Sequence, residues 1–409
     1  MRKIIGIFIV TLLIAIAVLP ALGTMNEKNV GKELKTNLLD DSWYKTFGGD
    51  GNDGFYFAQE AHDGGYIAAG FTTSIGEGSY DAWLVKTDVN GDLEWEKTFG
   101  GTGDDRFRYM QKVTDGYVLA GELDGDLYLV KVDNDGNIIW ERTFGGNKFE
   151  FAMGIRQTFD DGYIITGKTE SFTPQDTLHM WLIKTDENGI EQWNNTYGRD
   201  DYFSEGERVC QTEDGGFIVT GSTWALNQWG DIFVVKTDAD GNVEWEKTFD
   251  FKYGSVSISI EEAPDDSYVI SGSIGEPFKG CMAVLIKIDS EGNVLFERQY
   301  GSKIRIFLDS FCYAISTDDG GIIGTGSRLG IGAFFNINLP WFPYWSKICV
   351  MKVDSEGNPE WGDSPQGNGQ GRSIQDTSDG GYIVSGYTDN FPNFGDGVLF
   401  KIDSEGNLP

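Results

Sequence analysis

Some segments between the apolar runs of the chain carry aromatic residues and others carry carboxylates, and side chains of these two kinds suit the recognition of sugars when they share one face. Aromatic rings stack on the apolar faces of pyranoses, and carboxylates accept hydrogen bonds from hydroxyl groups. The sequence therefore predicts a ligand-binding site formed by Trp224, Trp229, Trp341, Phe342, Tyr344, Trp345, Asp104 and Asp105.

Residues able to carry catalysis are scarce. The chain has two histidines, His62 and His179, and it contains no G-x-S-x-G elbow, no H-E-x-x-H pair and no Cys–His pair at a plausible spacing. Serine-triad and zinc chemistry are therefore poorly supported. A pair of carboxylates stays open among the 64 acidic residues, but the sequence alone cannot select two of them. No catalytic residue is assigned, and the inventory favours a protein that is not an enzyme.

One lysine recurs seven times, which tempts an assignment to catalysis. Recurrence argues the opposite, because an active site is singular whereas a structural device repeats. Each lysine stands two residues before an aspartate, as Lys86 stands before Asp88, so we expect a local ion pair or packing against the turn that follows. The seven are Lys86, Lys131, Lys184, Lys236, Lys287, Lys352 and Lys401.

These lysines belong to a longer phrase that repeats from Trp43 to the C-terminus. Its first half is close to D-G-G-Y-I-x-x-G, and its second half is close to D-x-W-L-V-K-T-D-x-N-G-x-x-x-W. The aromatic residues near its end are 45 to 65 residues apart, which is typical of a four-stranded propeller blade. They are Trp43, Trp95, Trp140, Trp193, Trp245, Phe296 and Trp361, and we expect their rings to pack between neighbouring blades.

Within one repeat, short apolar runs are bounded by Gly, Asp and Asn, which predicts four strands, A to D, and no helix. Asp63-Gly64-Gly65 forms the A–B turn and Asp88–Gly91 the C–D turn, because glycine tolerates the positive φ of tight hairpins. The predicted strands of the first complete repeat are Phe55–His62, Tyr66–Thr73, Ala82–Thr87 and Leu93–Phe99.

The two ends of the repeated region fit a closed ring. The last repeat stops before its closing tryptophan, and the missing strand stands at the other end of the region as Ser42–Phe47, which matches Glu94–Phe99. We therefore expect an all-β, seven-bladed β-propeller over residues 42–409, closed by its N-terminal strand. An open solenoid is the alternative, but it leaves the split repeat unexplained.

Residues 1–23 have the pattern of a secretory signal peptide. Arg2 and Lys3 precede the apolar run Ile4–Val18, and Ala21-Leu22-Gly23 is a small-residue cleavage site. An uncleaved membrane anchor is the alternative. Residues 24–41 are a polar lead-in that we expect to be flexible. The protein is thus expected to be secreted or extracellular, with association to the cell surface as a variant of this.

The net charge restricts the classes of partner that the protein is expected to bind. A formal net charge of −32 disfavours nucleic acid and anionic lipid, so a membrane is expected only through an uncleaved N-terminal segment. No cofactor is expected. The C–D turns, such as Asp133–Gly136, faintly resemble calcium loops but lack the distant glutamate, so hairpin turns are favoured. For Cys210, Cys281, Cys312 and Cys349, a disulfide and buried free thiols both stay open.

In a propeller the B–C and D–A loops share one face, and deviations between repeats map to loops. The largest deviation is Ser327–Ser346, which contains Trp341–Trp345. Three alternatives stay open for that aromatic cluster: it plugs the channel, it contacts a protein or a membrane, or it binds a glycan. A protein or glycan ligand is accordingly expected on this face.

The segment from Lys131 to Trp140 (K-V-D-N-D-G-N-I-I-W) resembles the D…G…W signature of secreted archaeal and bacterial quinoprotein-like propeller repeats, those of the pyrroloquinoline-quinone type, with a turn one residue shorter. No cofactor residue carries over, and the vicinal cysteines of quinoprotein dehydrogenases are absent. The resemblance implies a non-catalytic binding or scaffold role. The alternative is a carbohydrate-active hydrolase or lyase using carboxylates on the loop face.

Overall fold

The computed structural model describes residues 42–173, 177–225, 230–276, 280–301, 308–329, 346–364, 368–390, 393–403 and 406–407. Residues 1–41, with the expected signal peptide and lead-in, lie outside this set. Among the described residues no helix is long and apolar enough to cross a membrane. Asp41–Pro409 forms one compact unit.

Within the described residues the chain forms 28 strands, numbered β1 to β28 in chain order, in seven four-stranded antiparallel sheets. The first three blades contain β2 (Asp53–Glu60), β3 (Tyr66–Thr72), β4 (Asp81–Thr87), β5 (Leu93–Phe99); β6 (Arg106–Val113), β7 (Gly116–Leu123), β8 (Asp126–Val132), β9 (Ile138–Phe144); and β10 (Glu150–Gln157), β11 (Tyr163–Thr169), β12 (His179–Thr185), β13 (Glu191–Tyr197). The next two contain β14 (Tyr202–Gln211), β15 (Phe217–Ala225), β16 (Asp231–Thr237), β17 (Val243–Phe249); and β18 (Ser255–Glu262), β19 (Tyr268–Glu276), β20 (Gly280–Ile288), β21 (Val294–Tyr300). The last two contain β22 (Leu308–Ser316), β23 (Ile322–Leu329), β24 (Ser346–Val353), β25 (Pro359–Asp363); and β26 (Gly369–Asp376), β27 (Tyr382–Asn390), β28 (Asn393–Ile402) with β1 (Trp43–Phe47).

The N-terminal strand closes the ring. β1 pairs antiparallel with β28, in a register that sets Trp43 opposite Lys401 and Phe47 opposite Gly397. The first strands of successive blades contact one another in the cyclic order β2, β6, β10, β14, β18, β22, β26 and back to β2. The seven-bladed propeller and its closure by the N-terminal strand are therefore confirmed.

Burial follows the order of strands within a blade. β3 and β4 are buried at every residue, and they consist almost entirely of apolar and small side chains. β5 alternates between exposed and half-buried residues over most of its length, because it is the outermost strand. The four strands thus run from the axis outward, with the first strand of each blade lining the centre.

Tryptophans of the fourth strand pack against the next blade, as expected. A Cβ on Gly91, in the C–D turn of the first blade, would stand 2.6 Å from the ring of Trp43 in the seventh. The φ of Gly91 is +75°, so the turn requires glycine for its backbone conformation as well. The same contact links Trp95 to Gly136 and Trp361 to Gly406. One Trp–Gly contact thus joins each of these pairs of blades at the outer edge.

The repeated lysines are structural, but the expected partner in the following C–D turn was wrong. The ammonium group of Lys86 lies 2.9 Å from the carboxylate of Asp63 in the A–B turn, rather than beside Asp88. All seven lysine side chains are only 2 to 15% exposed and pair in this way. The reason is geometric, because Lys86 lies opposite Ile67 in the sheet and its side chain reaches the turn that precedes β3. The aspartates are Asp63, Asp115, Asp160, Asp214, Asp265, Asp319 and Asp379.

Candidate functional site in the central channel

A glycine in the second strand of every blade allows the first strand to bulge. In the first blade Gly70 lies opposite Phe55, and a Cβ on Gly70 would stand 1.9 Å from the carbonyl oxygen of Gly54. The register shifts at this point, so Tyr56 is an extra residue in β2. The equivalent glycines are Gly70, Gly121, Gly167, Gly221, Gly272, Gly326 and Gly386.

The residue in the bulge varies between blades, although the glycine opposite it does not. The guanidinium carbon of Arg108 lies 4.5 Å, and that of Arg372 5.6 Å, from the centre of the Tyr56 ring. Because these three side chains come from three neighbouring blades, the bulges converge on the axis of the ring. Side chains that do not repeat therefore line the channel. The bulge residues are Tyr56, Arg108, Met153, Glu207, Ile258, Cys312 and Arg372.

Two tyrosines cross the channel directly below the bulges. The hydroxyl groups of Tyr109, in the second blade, and Tyr313, in the sixth, are 2.8 Å apart, and both side chains are fully buried. The ring of Phe57 lies 4.1 Å from that of Tyr109 and 6.2 Å from that of Tyr313. The three rings therefore lie between the half of the channel near the D–A and B–C loops and the half near the A–B turns.

An ion pair supports the tyrosines from the half near the A–B turns. Arg156 donates hydrogen bonds to the hydroxyl oxygen of Tyr109 and to the carboxylate of Glu261, and Tyr313 donates to the same carboxylate. Burial raises the pKa of both tyrosines, so both hydroxyls remain protonated at neutral pH. The charges of Arg156 and Glu261 compensate each other, which favours a structural role for this network.

The half near the D–A and B–C loops contains two arginines beside one buried carboxylate. Arg106 and Arg108 share one carboxylate, that of Glu122, at 2.6 and 3.1 Å. The guanidinium of Arg106 also lies 3.9 Å from the centre of the Tyr80 ring. Glu122 is 2% exposed, and its second oxygen has no hydrogen-bond partner among the described residues.

The contacts of Arg372 in the described structure are with uncharged groups. It donates a 2.7 Å hydrogen bond to the hydroxyl of Tyr387, and it lies beside the buried thiol of Cys312 and the ring of Tyr56. No carboxylate of the described residues lies within ion-pair distance of it. The half-buried guanidinium of Arg372 therefore lacks a counter-charge from this part of the chain.

The fourth blade contributes an arginine and a carboxylate side by side. Arg208, 8% exposed, donates to the backbone oxygens of Met153 and Glu207. Burial and the neighbouring carboxylate of Glu205 raise the pKa of Glu207 to about 7. Glu205 itself pairs with Lys168 at 2.9 Å. A carboxyl group in the channel thus changes its charge near neutral pH.

A second concavity lies on the opposite face. A pocket of about 460 Å³ is bounded by Glu261 and Glu262 from β18 and by residues of the A–B turns of the sixth and seventh blades. Lys352 and Tyr382 also line it. Among the described residues, no group of three or more His, Cys, Asp or Glu side chains is placed to hold a metal ion.

Three of the predicted ligand-binding residues lie within the described structure, Trp224 in the fourth blade and Asp104 and Asp105 in the loop that precedes β6 of the second. Trp224, at the end of β15, is half-buried and stacks on Phe203, with ring centres 5.8 Å apart. Asp104 is 58% exposed and lies 4.0 Å from Arg106. Asp105 is fully buried and accepts hydrogen bonds from the backbone of Gly101 and Asp124, so it joins the D–A loop to the B–C loop. Trp229, Trp341, Phe342, Tyr344 and Trp345 lie outside the described residues.

The described structure also shows the surroundings of the cysteines and the hydrogen bonds within the C–D turns. Cys210 and Cys312 are free thiols, and the side chain of Cys281 lies outside the described residues. In the C–D turn of the second blade, the carboxylate of Asp133 accepts hydrogen bonds from the backbone of Asp135 and from both the backbone and the side chain of Asn137. These bonds form an Asx turn.

Sequence reasoning missed the arginines of the channel. Five of the eleven arginines of the chain fall in the first strands of the blades, and a comparison of those strands alone would have revealed this. The bulge conceals the signal, because it shifts the two-residue periodicity by one position. The residues are Arg106, Arg108, Arg156, Arg208 and Arg372.

No family model matches the chain, and no curated protein matches it. Among solved structures, the chain is similar to puromycin hydrolase at 12% identity and a TM-score of 0.53, over 86% of this chain and 52% of the other. It spans about half the length of that protein. A structure of the Dos1 propeller gives 9% identity, a TM-score of 0.49 and coverage of 91% and 99%. Sqt1 from Chaetomium thermophilum gives 10% identity, a TM-score of 0.49 and coverage of 88% of this chain and 99% of the other. At such identities the likeness concerns the fold alone, and membership of the quinoprotein-like repeats stays a prediction.

Proposed function

We propose that the chain is a non-catalytic binding or scaffold module that takes a protein or glycan ligand on the face carrying its D–A and B–C loops. One observation carries the proposal. Charged and aromatic residues that repeat, such as Lys86 and Trp43, hold the strands of one blade together or join neighbouring blades, whereas those that differ between blades gather in the channel. A propeller that needed only to be stable could repeat its inner strands as well.

The half of the channel near the loops supports ligand access. Arg106, Arg108 and Glu205 are each about one-fifth exposed, which fits a recess open to solvent rather than a sealed core. Trp224 stands on the same face, with its ring ordered by stacking on Phe203. A recess with charged groups and an aromatic wall is a common form of ligand site.

A glycan array probed with the purified protein, with and without calcium, tests this proposal. A Trp224→Ala variant is compared with Phe159→Ala, which removes a 73% exposed aromatic ring from an A–B turn on the opposite face. Binding lost in the first variant and retained in the second supports the proposal. A ligand whose binding is lost only in Phe159→Ala contradicts the assigned face, and capture of a protein partner instead of a glycan identifies the other ligand class.

Secretion, a place at the cell surface and membership of the quinoprotein-like propellers belong to the same proposal. The signal-like residues 1–23 support the first two, and the blade phrase supports the third. Detection of the chain in the medium or at the cell surface, with its N-terminus near Thr24, is the expected result. Detection only in the cytosol contradicts it.

A carbohydrate-active hydrolase or lyase is a second candidate, favoured by the pair Glu205 and Glu207. Their environments differ, because Glu205 is held by Lys168 whereas the pKa of Glu207 is raised to about 7. Such a difference suits a general acid beside an ionised carboxylate. Turnover of acidic or neutral polysaccharides that is abolished in Glu207→Gln would establish this candidate and overturn the non-catalytic one.

A further inference from the structure

We propose that the channel binds a small anionic ligand, through its carboxylate or phosphate group, at the guanidinium groups of Arg108 and Arg372. This inference rests on the proposed function, since it names the ligand class of the same face. Both arginines occupy bulge positions, and they approach the Tyr56 ring from the two neighbouring blades.

The first argument is the balance of charge. Buried charges in proteins are normally paired, because removal from water is costly for an isolated ion. Arg372 has no carboxylate partner among the described residues, whereas Glu207 faces both Arg108 and Arg208, and Arg108 also shares Glu122 with Arg106. An anion bound here would supply the missing partner.

The second argument is the pattern of hydrogen bonding. The Nε atoms of Arg108, Arg208 and Arg372 are buried and have no acceptor among the described residues. Native structures leave few such donors unpaired, and each one requires an explanation. A guanidinium group offers its donors in a planar fork that matches a carboxylate or phosphate, so the guanidinium groups of Arg108 and Arg372 are suited to receive such a group.

The third argument is the surrounding chemistry. The ring of Tyr56 lies beside both guanidinium groups, and the hydroxyl of Tyr387 lies 2.7 Å from both Arg372 and Gln370. The site thus combines two cations, a ring and a polar edge. This combination fits a compact ligand with one anionic group and hydroxyl groups, such as an acidic sugar.

Isothermal titration calorimetry with matched probes tests the inference. The probes are D-galacturonate, D-galactose, which differs from it by the carboxylate, and inorganic phosphate. The proteins are the unaltered chain, Arg372→Gln, Arg108→Gln and Arg142→Gln, whose arginine lies on the exposed outer strand β9 and serves as a charge-matched control. Thermal melting of each variant establishes that it is folded.

The unaltered protein and Arg142→Gln should bind galacturonate or phosphate, and each channel variant should bind at least about tenfold more weakly. Binding of galacturonate without phosphate identifies a carboxylate ligand, and the reverse identifies a phosphate ligand. The comparison of the two sugars on the unaltered protein needs no variant. Equal affinity for galactose and galacturonate, unchanged in both channel variants, overturns the anion site but leaves the proposed binding face standing. No binding of galacturonate or phosphate also overturns the anion site, while glycan or protein capture that is lost in Trp224→Ala would still support the face.

Discussion

The ring of Trp43 occupies the space above Gly91 where any other residue would place its Cβ, 2.6 Å away. Trp43 belongs to the N-terminal strand, which completes the seventh blade, and Gly91 belongs to the first blade, so this contact links the seventh blade to the first. The Nε1 of Trp43 also donates to the carbonyl oxygen of Val89 in the same turn. Repeated residues thus act between blades as well as within them.

Replacement of Gly91 should lower the free energy of unfolding by more than its positive φ alone explains. Gly64→Ala introduces a side chain at φ +86° with nothing within 4 Å, so it should cost about 1–2 kcal/mol in the free energy of unfolding. Gly91→Ala has a similar φ of +75° but meets the Trp43 ring, which should add about 1–3 kcal/mol. Chemical denaturation of both variants measures the difference. Equal losses would show that the Trp–Gly contact is loose.

Removal of the N-terminal strand should open the ring. A chain that begins at residue 48 lacks β1 and leaves β28 as an unpaired edge, so it should melt several degrees lower and self-associate. A chain that begins at residue 42 keeps β1 and is the control. Thermal melting and light scattering compare the two. If both chains melt together and remain monodisperse, the strand pairing contributes no closure.

Because of the lysine–aspartate pairs, the free energy of unfolding should decrease as the pH falls into the acidic range. Lys236 and Thr212 lower the pKa of Asp214 to about 2, and the carboxylate of Asp214 lies 2.6 Å from the Lys236 ammonium group. A carboxyl group whose pKa is lowered on folding contributes stability above its unfolded value, and that contribution is lost as the pH falls from about 4 to about 2.

We therefore expect Asp214→Asn to lower the free energy of unfolding by about 1 kcal/mol at pH 7, a value limited by the 56% exposure of the carboxylate. Asp240→Asn, at an exposed position of the C–D turn in the same blade, is the control and should change little. Urea titrations at pH 7, 4 and 2 follow the difference. A deficit that persists unchanged at pH 2 would mean that the ion pair is not its cause.

Ionisation of Glu207 should destabilise the folded state, whereas ionisation of Asp214 stabilises it. The pKa of Glu207 is raised, first by burial and then by Glu205, so ionisation destabilises the folded state as the pH rises from about 4.5 to 7. Lys168, Arg108 and Arg208 face it from β11, β6 and β14 and oppose this rise. Glu207→Gln should match the unaltered protein near pH 4.5 and be more stable at pH 8, by up to about 3 kcal/mol.

The control for this variant is Glu246→Gln, on the exposed outer strand of the same blade. Melting temperatures between pH 4.5 and 8 provide the comparison. The same protonation removes a negative charge from the channel, so anion affinity should rise as the pH falls from 8 to 6. Stability curves for Glu207→Gln and the unaltered protein that remain parallel across this range would contradict a titration of Glu207.

The sequence predicted what repeats and missed what does not. The match of Ser42–Phe47 to Glu94–Phe99 was sufficient to predict the closure of the ring, because a strand keeps its sequence pattern whichever end of the chain supplies it. The partner of Lys86 was wrong because Asp63 lies 23 residues away and comes within reach only when β3 and β4 pair. The channel arginines had no shared pattern, and the aromatic cluster Trp341–Trp345 lies outside the described residues, so its three alternatives stay open.

A crystal structure of the protein with saturating D-galacturonate or phosphate tests the central claim most directly. The claim is that side chains at the non-repeated bulge positions form the ligand site. The account predicts that the anionic group lies within hydrogen-bond distance of Arg108 or Arg372, beside the Tyr56 ring. A ligand held only at Trp224 on the loops, or in the pocket beside Glu261 on the opposite face, with the channel guanidinium groups untouched, would contradict it.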